Sequence, residues 1–256
     1  MAGAYRKLTR MTDPDSSATV RYSTADLPEN MRIATWREHY GHTVLRAHIE
    51  PNVDSFGVTL DLRNLPGLKL VWGKFTSARI IRTREMIADG NDDLYLFVNQ
   101  TGHITVSARG RDVTLYENDA VLISSGEAVV FDRHSSVGES ITTRIPYSML
   151  SPMVVDVDDA IMHRMPSNTA ALKLLTSYAS ALLGEDHALT TPAHRHRVAT
   201  HVHDLAALAL GATREAADVA QGRGIRAARL RAQRPISSEI SAAGICRSAL
   251  SRPISA

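Results

Sequence analysis

The chain has 256 residues, 44% hydrophobic and 22% charged, with a formal net charge of +2. That length holds one large domain or two small ones with a real core, and so even a charge singles out no class of partner. One cysteine, Cys246, excludes an intrachain disulfide, and no apolar run approaches the eighteen or so residues of a membrane span. With a polar start that lacks a signal peptide's apolar region, this reads as a cytoplasmic protein.

Residues 1–25 are polar, with Asp13-Pro14-Asp15 among them, and read as a mobile arm. Pro28 opens a helix whose stripe is Ile33, Trp36 and Tyr40, ended by Gly41. Thr43 to Ile49 is a strand candidate stopped by Pro51, and Phe56 to Leu62 alternates as a half-buried strand. Pro66-Gly67 predicts a tight turn with Gly at φ > 0. Leu68 to Ile81 is long for one strand and should bend at Gly73 or split.

The centre of the chain is Gly90 to Ser124. LYLFVN, ITVSA, RDVTLY and AVLI follow one another at about ten-residue spacing, separated by Gly, Asn and Asp. This predicts antiparallel strands with hairpin connections, one of them at Arg109-Gly110. With Ala128–Arg133 and Ser140–Ile145 the count reaches roughly eight. No helix lies between them, so a small barrel or jelly roll is expected in place of βαβ units.

The pattern changes after Pro146. Ser167-Asn168 can cap a helix from Thr169 to Leu183, with a seam of Leu172, Leu175, Ala179 and Leu182 ended by Gly184. Thr191-Pro192 opens a second helix with Val198, Val202, Leu205 and Ala209 on one stripe and Gly211 at its end. A third, Thr213 to about Arg231, should be interrupted at Gly222 and Gly224. The two seamed helices form a hairpin that docks either on the barrel or on a second copy. For pairing, the candidate positions are Leu172, Leu175, Leu182, Val198, Val202 and Leu205. The chain divides into an arm (1–25), a barrel (26–150), a helical region (151–231) and a Ser/Ala-rich tail (232–256) without apolar period.

Enzymatic motifs are missing. There is no Gly-x-Ser-x-Gly elbow, phosphate loop or dinucleotide fingerprint, and Cys246 sits in the tail. His103 and His134 are the histidines of the central β region. His194, His196, His201 and His203, with Asp204, include no pair four apart, the spacing that puts two ligands on one helix face. They read as a polar helix face, and neither a metal site nor a cofactor is expected. From Gln221 to Ser238 there are five arginines and no acid. Arg226, Arg229 and Arg231 are thus candidate phosphate contacts, and a small basic-helix DNA-binding protein is a rival reading.

Several blocks carry a family resemblance: LDLRNLPGLKL (Leu60–Leu70), RTREMIADGNDDL (Arg82–Leu94), ENDAVLIS (Glu117–Ser124), PSNTAALKLLTSYASAL (Pro166–Leu182) and HVHDLAALALGATREA (His201–Ala216). Together they resemble the sensor domain of AraC/XylS-type transcription regulators, over residues 22–231. The resemblance implies an α+β chain: a cupin-like antiparallel barrel or jelly roll that senses a small-molecule effector, then helices that pair two subunits. It implies no enzyme, though a cupin-type metalloenzyme is a further rival. Promoter DNA is read in such regulators by a C-terminal domain of two helix-turn-helix units. Here the likeness stops near Arg231, which reads as a truncated regulator with a shifted frame as one explanation. Candidate effector contacts are Trp72, Tyr95, Phe97 and His134, since pockets are aromatic-lined with a few polar groups; the other reading of each is ordinary core or surface.

Overall fold

The computed structural model describes residues 19–38, 41, 47–87, 90–184, 189 and 191–232, and for 224–232 the backbone alone. Strands in chain order are β1 (Val20–Ser23), β2 (His48–Pro51), β3 (Val58–Leu65), β4 (Leu68–Thr76), β5 (Ala78–Arg82) and β6 (Leu94–Asn99). They continue as β7 (Ile104–Ala108), β8 (Arg111–Leu115), β9 (Ala120–Ser124), β10 (Val129–Arg133), β11 (Val137–Ile145) and the short β12 (Arg164–Met165). The helices are α1 (Glu29–Trp36), α2 (Tyr147–Leu150), α3 (Val157–Ala160), α4 (Ala170–Leu183), α5 (Pro192–Leu210) and α6 (Arg214–Ala232).

Two antiparallel sheets face each other. One runs β1-β3-β4-β11-β6-β9-β12 and the other β2-β5-β10-β7-β8. This is a cupin-like jelly roll within an α+β fold, and the sheets do not close into a barrel. The four central segments all form strands, but hairpins do not link them in turn. Only β7–β8 closes one there, through Arg109 and Gly110 at φ 53° and 68°, the left-handed pair a tight hairpin needs. β6 pairs with β9 and β10 with β7, so the chain crosses between sheets after β6 and again after β8. Alternation marks which face a residue takes, not which strand lies beside it, so these crossings were invisible to the period.

Leu68–Ile81 does split, at Ser77 and not at Gly73. Ser77 N–H donates to the Ser136 carbonyl at 2.8 Å, and its hydroxyl to the Arg133 carbonyl at 2.7 Å. These bonds turn the chain out of the larger sheet and into the smaller. The arm reading holds for no part of Val20–Ser23, which is strand β1 on β3; residues 1–18 lie outside the described residues, as does 233–256. Trp36, fully buried, gathers the Tyr22, Phe56 and Phe75 rings within centroid distances of 5.7–6.2 Å. The lead-in helix α1 is thereby seated at one end of the sandwich.

The larger sheet is covered on both faces. Leu94, Leu96 and Val98 of β6, with Leu70 of β4 and Ile141 of β11, are almost fully buried in one cluster with Leu172, Leu175 and Val202 of the helices. Their strand neighbours face the other sheet. α5 starts on the Thr191 hydroxyl, which accepts from His194 N–H, and stops at Gly211 with φ 92°. α6 runs through Gly222 and Gly224 without the expected interruption. Two short helices, α2 and α3, had no sequence signal beyond Asp156, whose carboxylate caps α3 by accepting from Asp159 N–H. Among the described residues no helix is long and apolar enough to cross a membrane.

Candidate functional site

Between the sheets lies a cavity of about 170 Å³. The register builds its walls in rows. Leu62, Val71, Thr142 and Phe97 are successive cross-strand partners on β3, β4, β11 and β6. Phe131 of β10 faces them from the smaller sheet, its ring 5.2 Å from that of Phe97. Ile80, Ile104 and Val129 complete the apolar lining.

The charged groups sit at the two ends. Lys69, Arg144, Tyr95 and Ile123 form the next row, again as direct cross-strand partners. Arg144 pairs with Asp93 and lies over the Tyr95 ring at 5.7 Å. Burial first, and then the neighbouring Arg144, push the Lys69 ammonium below its ordinary value, while Asp93 pulls the other way. β9 passes into β10 through Ser125, so Arg82, partner of Val129, lies at this same end with Ser124 and Ser125. At the far end Arg133, 4% exposed, donates to Asn99 Oδ1 at 3.3 Å and to the Thr101 carbonyl at 3.4 Å. Burial brings its guanidinium down to about 10. A Cβ on Gly138 would collide with that guanidinium, so glycine is what makes room for it.

A polar seam ties one cavity wall to the helices. The β3–β4 hairpin turns at Gly67, φ 64°, and the Gly67 carbonyl accepts from His203 Nε2–H of α5 at 2.9 Å. A carbonyl cannot donate, so the imidazole proton is on Nε2. Burial holds His203 below its ordinary value, opposed by the Gly67 carbonyl and the Asp204 carboxylate. The adjacent Asp204, also buried, takes both its bonds from Arg223 Nη1 of α6, at 2.7 and 2.8 Å. Cavity wall, α5 and α6 are therefore joined through two consecutive residues.

Of the sequence-predicted contacts, Tyr95 and Phe97 line the cavity. Trp72 and His134 do not. Trp72 lies between Val71 and Gly73, and the pleat turns it to the helix side of β4. His134 follows β10, exposed, stacked on His103 at 5.2 Å and bonded to the Thr105 hydroxyl. Leu172, Leu175, Leu182 and Val202 are buried within this one chain, with Val198 and Leu205 half-buried beside them. The seam is thus filled by α4, α5 and the sheet. Arg226, Arg229 and Arg231 fall in α6, but their side chains lie outside the described residues. The polar-face reading of the α5 histidines fits His194 and His196, which are exposed, and fails at His203 and Asp204. His203 lies four residues after Ala199 and three before Ala206, on the buried stripe, and that spacing was the signal for it. The sequence reading also missed Lys69, Arg82 and Arg133, each two residues from an inward-facing apolar residue on its own strand (Val71, Ile80 and Phe131), and Arg144, two residues from the inward-facing Thr142. Among the described residues no three of His, Cys, Asp and Glu cluster as metal ligands.

Comparison with solved structures gives the AraC-like transcriptional activator CuxR at TM-score 0.60 and 18% identity, covering 77% of this chain and 72% of that one. The EutQ ethanolamine utilization protein of Salmonella typhimurium matches at TM-score 0.29 and 13% identity, over 35% of this chain and 69% of its own. The cupin domain of Schizosaccharomyces pombe Cnp3 gives 0.31 and 8%, over 36% and 63%. No curated protein matches the sequence. The AraC-binding-like domain matches residues 36–211, which span the jelly roll from β2 onward, α4 and α5. The chain belongs to the AraC-binding-like domain family.

Proposed function

We propose that this chain is the effector-sensing part of an AraC-type transcription regulator, with a binding role and no catalytic one. The observation that carries the reading is the cavity between the sheets, one wall of which is bonded to α5 and, through Asp204, to α6. A small molecule in the cavity, packed against the touching Phe97 and Phe131 rings, presses on β4 and its hairpin. The His203 and Asp204 contacts pass that displacement to α6. Such coupling requires the effector to favour one of two arrangements of the hairpin against the helices.

Pairing of two copies forms part of the proposal. Because the inner face of α4 and α5 is spent within the chain, the pairing surface is their outer face. There Leu174 is 60% exposed and Leu208 37%, with the Tyr178 and His201 rings in contact between the helices.

The test uses the intrinsic tryptophans. Trp36 touches Phe75, a cavity-lining residue, so a Trp72→Phe chain reports on the cavity through Trp36 alone. Titration with small carboxylates, sugars and neutral aromatics should give a saturable change for at least one class, with altered hydrogen exchange in α5 and α6. If no compound saturates, the sensing reading is overturned.

A further inference from the structure

Resting on that reading, we infer that the cavity takes a small organic anion: one carboxylate on an apolar body about the size of a single ring. Charge carries the first half. Lys69, Arg82, Arg133 and Arg144 line the cavity, and among the described residues no acidic side chain does. In the Lys69–Arg144–Tyr95 row, the carboxylate of Asp93 answers Arg144, so one negative group faces two positive ones. Lys69 is half-buried and its ammonium is held down by burial and by Arg144. A ligand carboxylate at this end would supply the missing counter-charge, with the Ser124 hydroxyl, whose oxygen accepts from Gly126 N–H and whose hydrogen is free to donate, as a further donor to its lone pairs.

Size and surface carry the second half. An apolar cavity of about 150 Å³ takes benzene. This one, about 170 Å³, therefore admits a single ring plus its carboxylate. Around Phe97, Phe131 and Val71 the hydrogen-bonding side-chain group among the described lining residues is the Thr142 hydroxyl, too little for a sugar's several hydroxyls. A polyol would leave those hydroxyls unpaired, whereas a ring packs against the two phenylalanines.

The experiment is calorimetric titration of the full chain with benzoate, cyclohexanecarboxylate and hexanoate, each beside its primary amide. Sodium sulfate and glucose complete the set. The carboxylates should bind at least tenfold tighter than their amides, and glucose and sulfate should not bind. Lys69→Gln should weaken carboxylate binding about tenfold to a hundredfold, the range for losing one charged partner, and leave amide binding within threefold. Val71→Phe, which fills the cavity without touching a charge, should abolish binding of both. Thermal melts establish that each variant is folded.

Amides or glucose binding as tightly as the carboxylates overturns the anion inference and leaves the sensing reading standing. Carboxylate binding that survives both Lys69→Gln and Val71→Phe also overturns it, since the ligand then sits elsewhere. Sulfate competing with benzoate at equal concentration overturns the apolar half. No binding by any compound removes the inference together with the sensing reading beneath it.

Discussion

His203 is where a single substitution tests the link between cavity wall and helices. It is 5% exposed, donates from Nε2 to the Gly67 carbonyl, and is held by burial below its ordinary pKa. With the folded value depressed, the unfolded chain takes up the proton first. His203's contribution is intact above about pH 6.5, the unperturbed imidazole value, and is lost progressively as pH falls from there toward the folded value. For one group the loss between pH 7.5 and 5.5 is at most about 1.4 kcal/mol. His203→Gln keeps an amide donor near the Nε2 position and cannot titrate, so it should sit within ~1 kcal/mol of the parent at pH 7.5. His203→Ala loses both bond and ring. Gly67 is half-buried and water can reach its carbonyl, so the cost should fall near ~2 kcal/mol, the lower end for a buried side chain. Urea denaturation of the three proteins at both pH values measures this. The parent should lose stability relative to the Gln variant on acidification. An equal pH slope in the two, or a parent that gains, refutes the neutral buried donor.

Further outcomes follow from the same packing. Leu175→Ala should cost about 2–5 kcal/mol in urea denaturation, since Leu175 is buried under its own chain. Leu174→Glu with Leu208→Glu should instead leave stability nearly unchanged and dissociate any dimer seen by sedimentation. Gly67→Ala places a Cβ at φ 64° and against Met149 Sδ, and should destabilise by about 1–2 kcal/mol in the same assay.

Much of this chain was legible where a local rule decides the local structure. Thr191-Pro192 and Gly211 bracket α5 as a cap, a first-turn proline and a left-handed stop should, and every central strand lies where the turn residues put it. Partners were not legible: β4 pairs with β11 some seventy residues later, and no period in either strand specifies that. The cavity was half legible. Tyr95 and Phe97 were picked for their rings, but so was Trp72, because a strand buried on both faces shows aromatics on each. Its cations carried a readable signal that composition obscured, namely charge at the inward parity of an otherwise apolar strand.

That same two-sided burial puts the cavity and the helices on opposite faces of the same strands. Lys69, Val71 and Gly73 of β4 face the cavity, while Leu68, Leu70 and Trp72 pack with the helix-side core. Thr142 and Arg144 of β11 alternate in the same way with Ile141 and Ile145. A close-packed interior has little slack to absorb a displaced strand, so whatever moves β4 from the cavity side moves Leu70 against α4 and α5. The hairpin tip at Gly67, held by His203, concentrates that movement at a directional contact next to Asp204. A ligand at the Lys69 end acts one short step from the tip, because Lys69 follows Gly67 by two residues. Binding at the Arg133 end would have to act through most of the length of β4. On the proposed sensing role, the end of the cavity that a ligand's charged group occupies would decide how strongly it is felt at α6, with the Lys69 end the nearer to the Gly67–His203 contact.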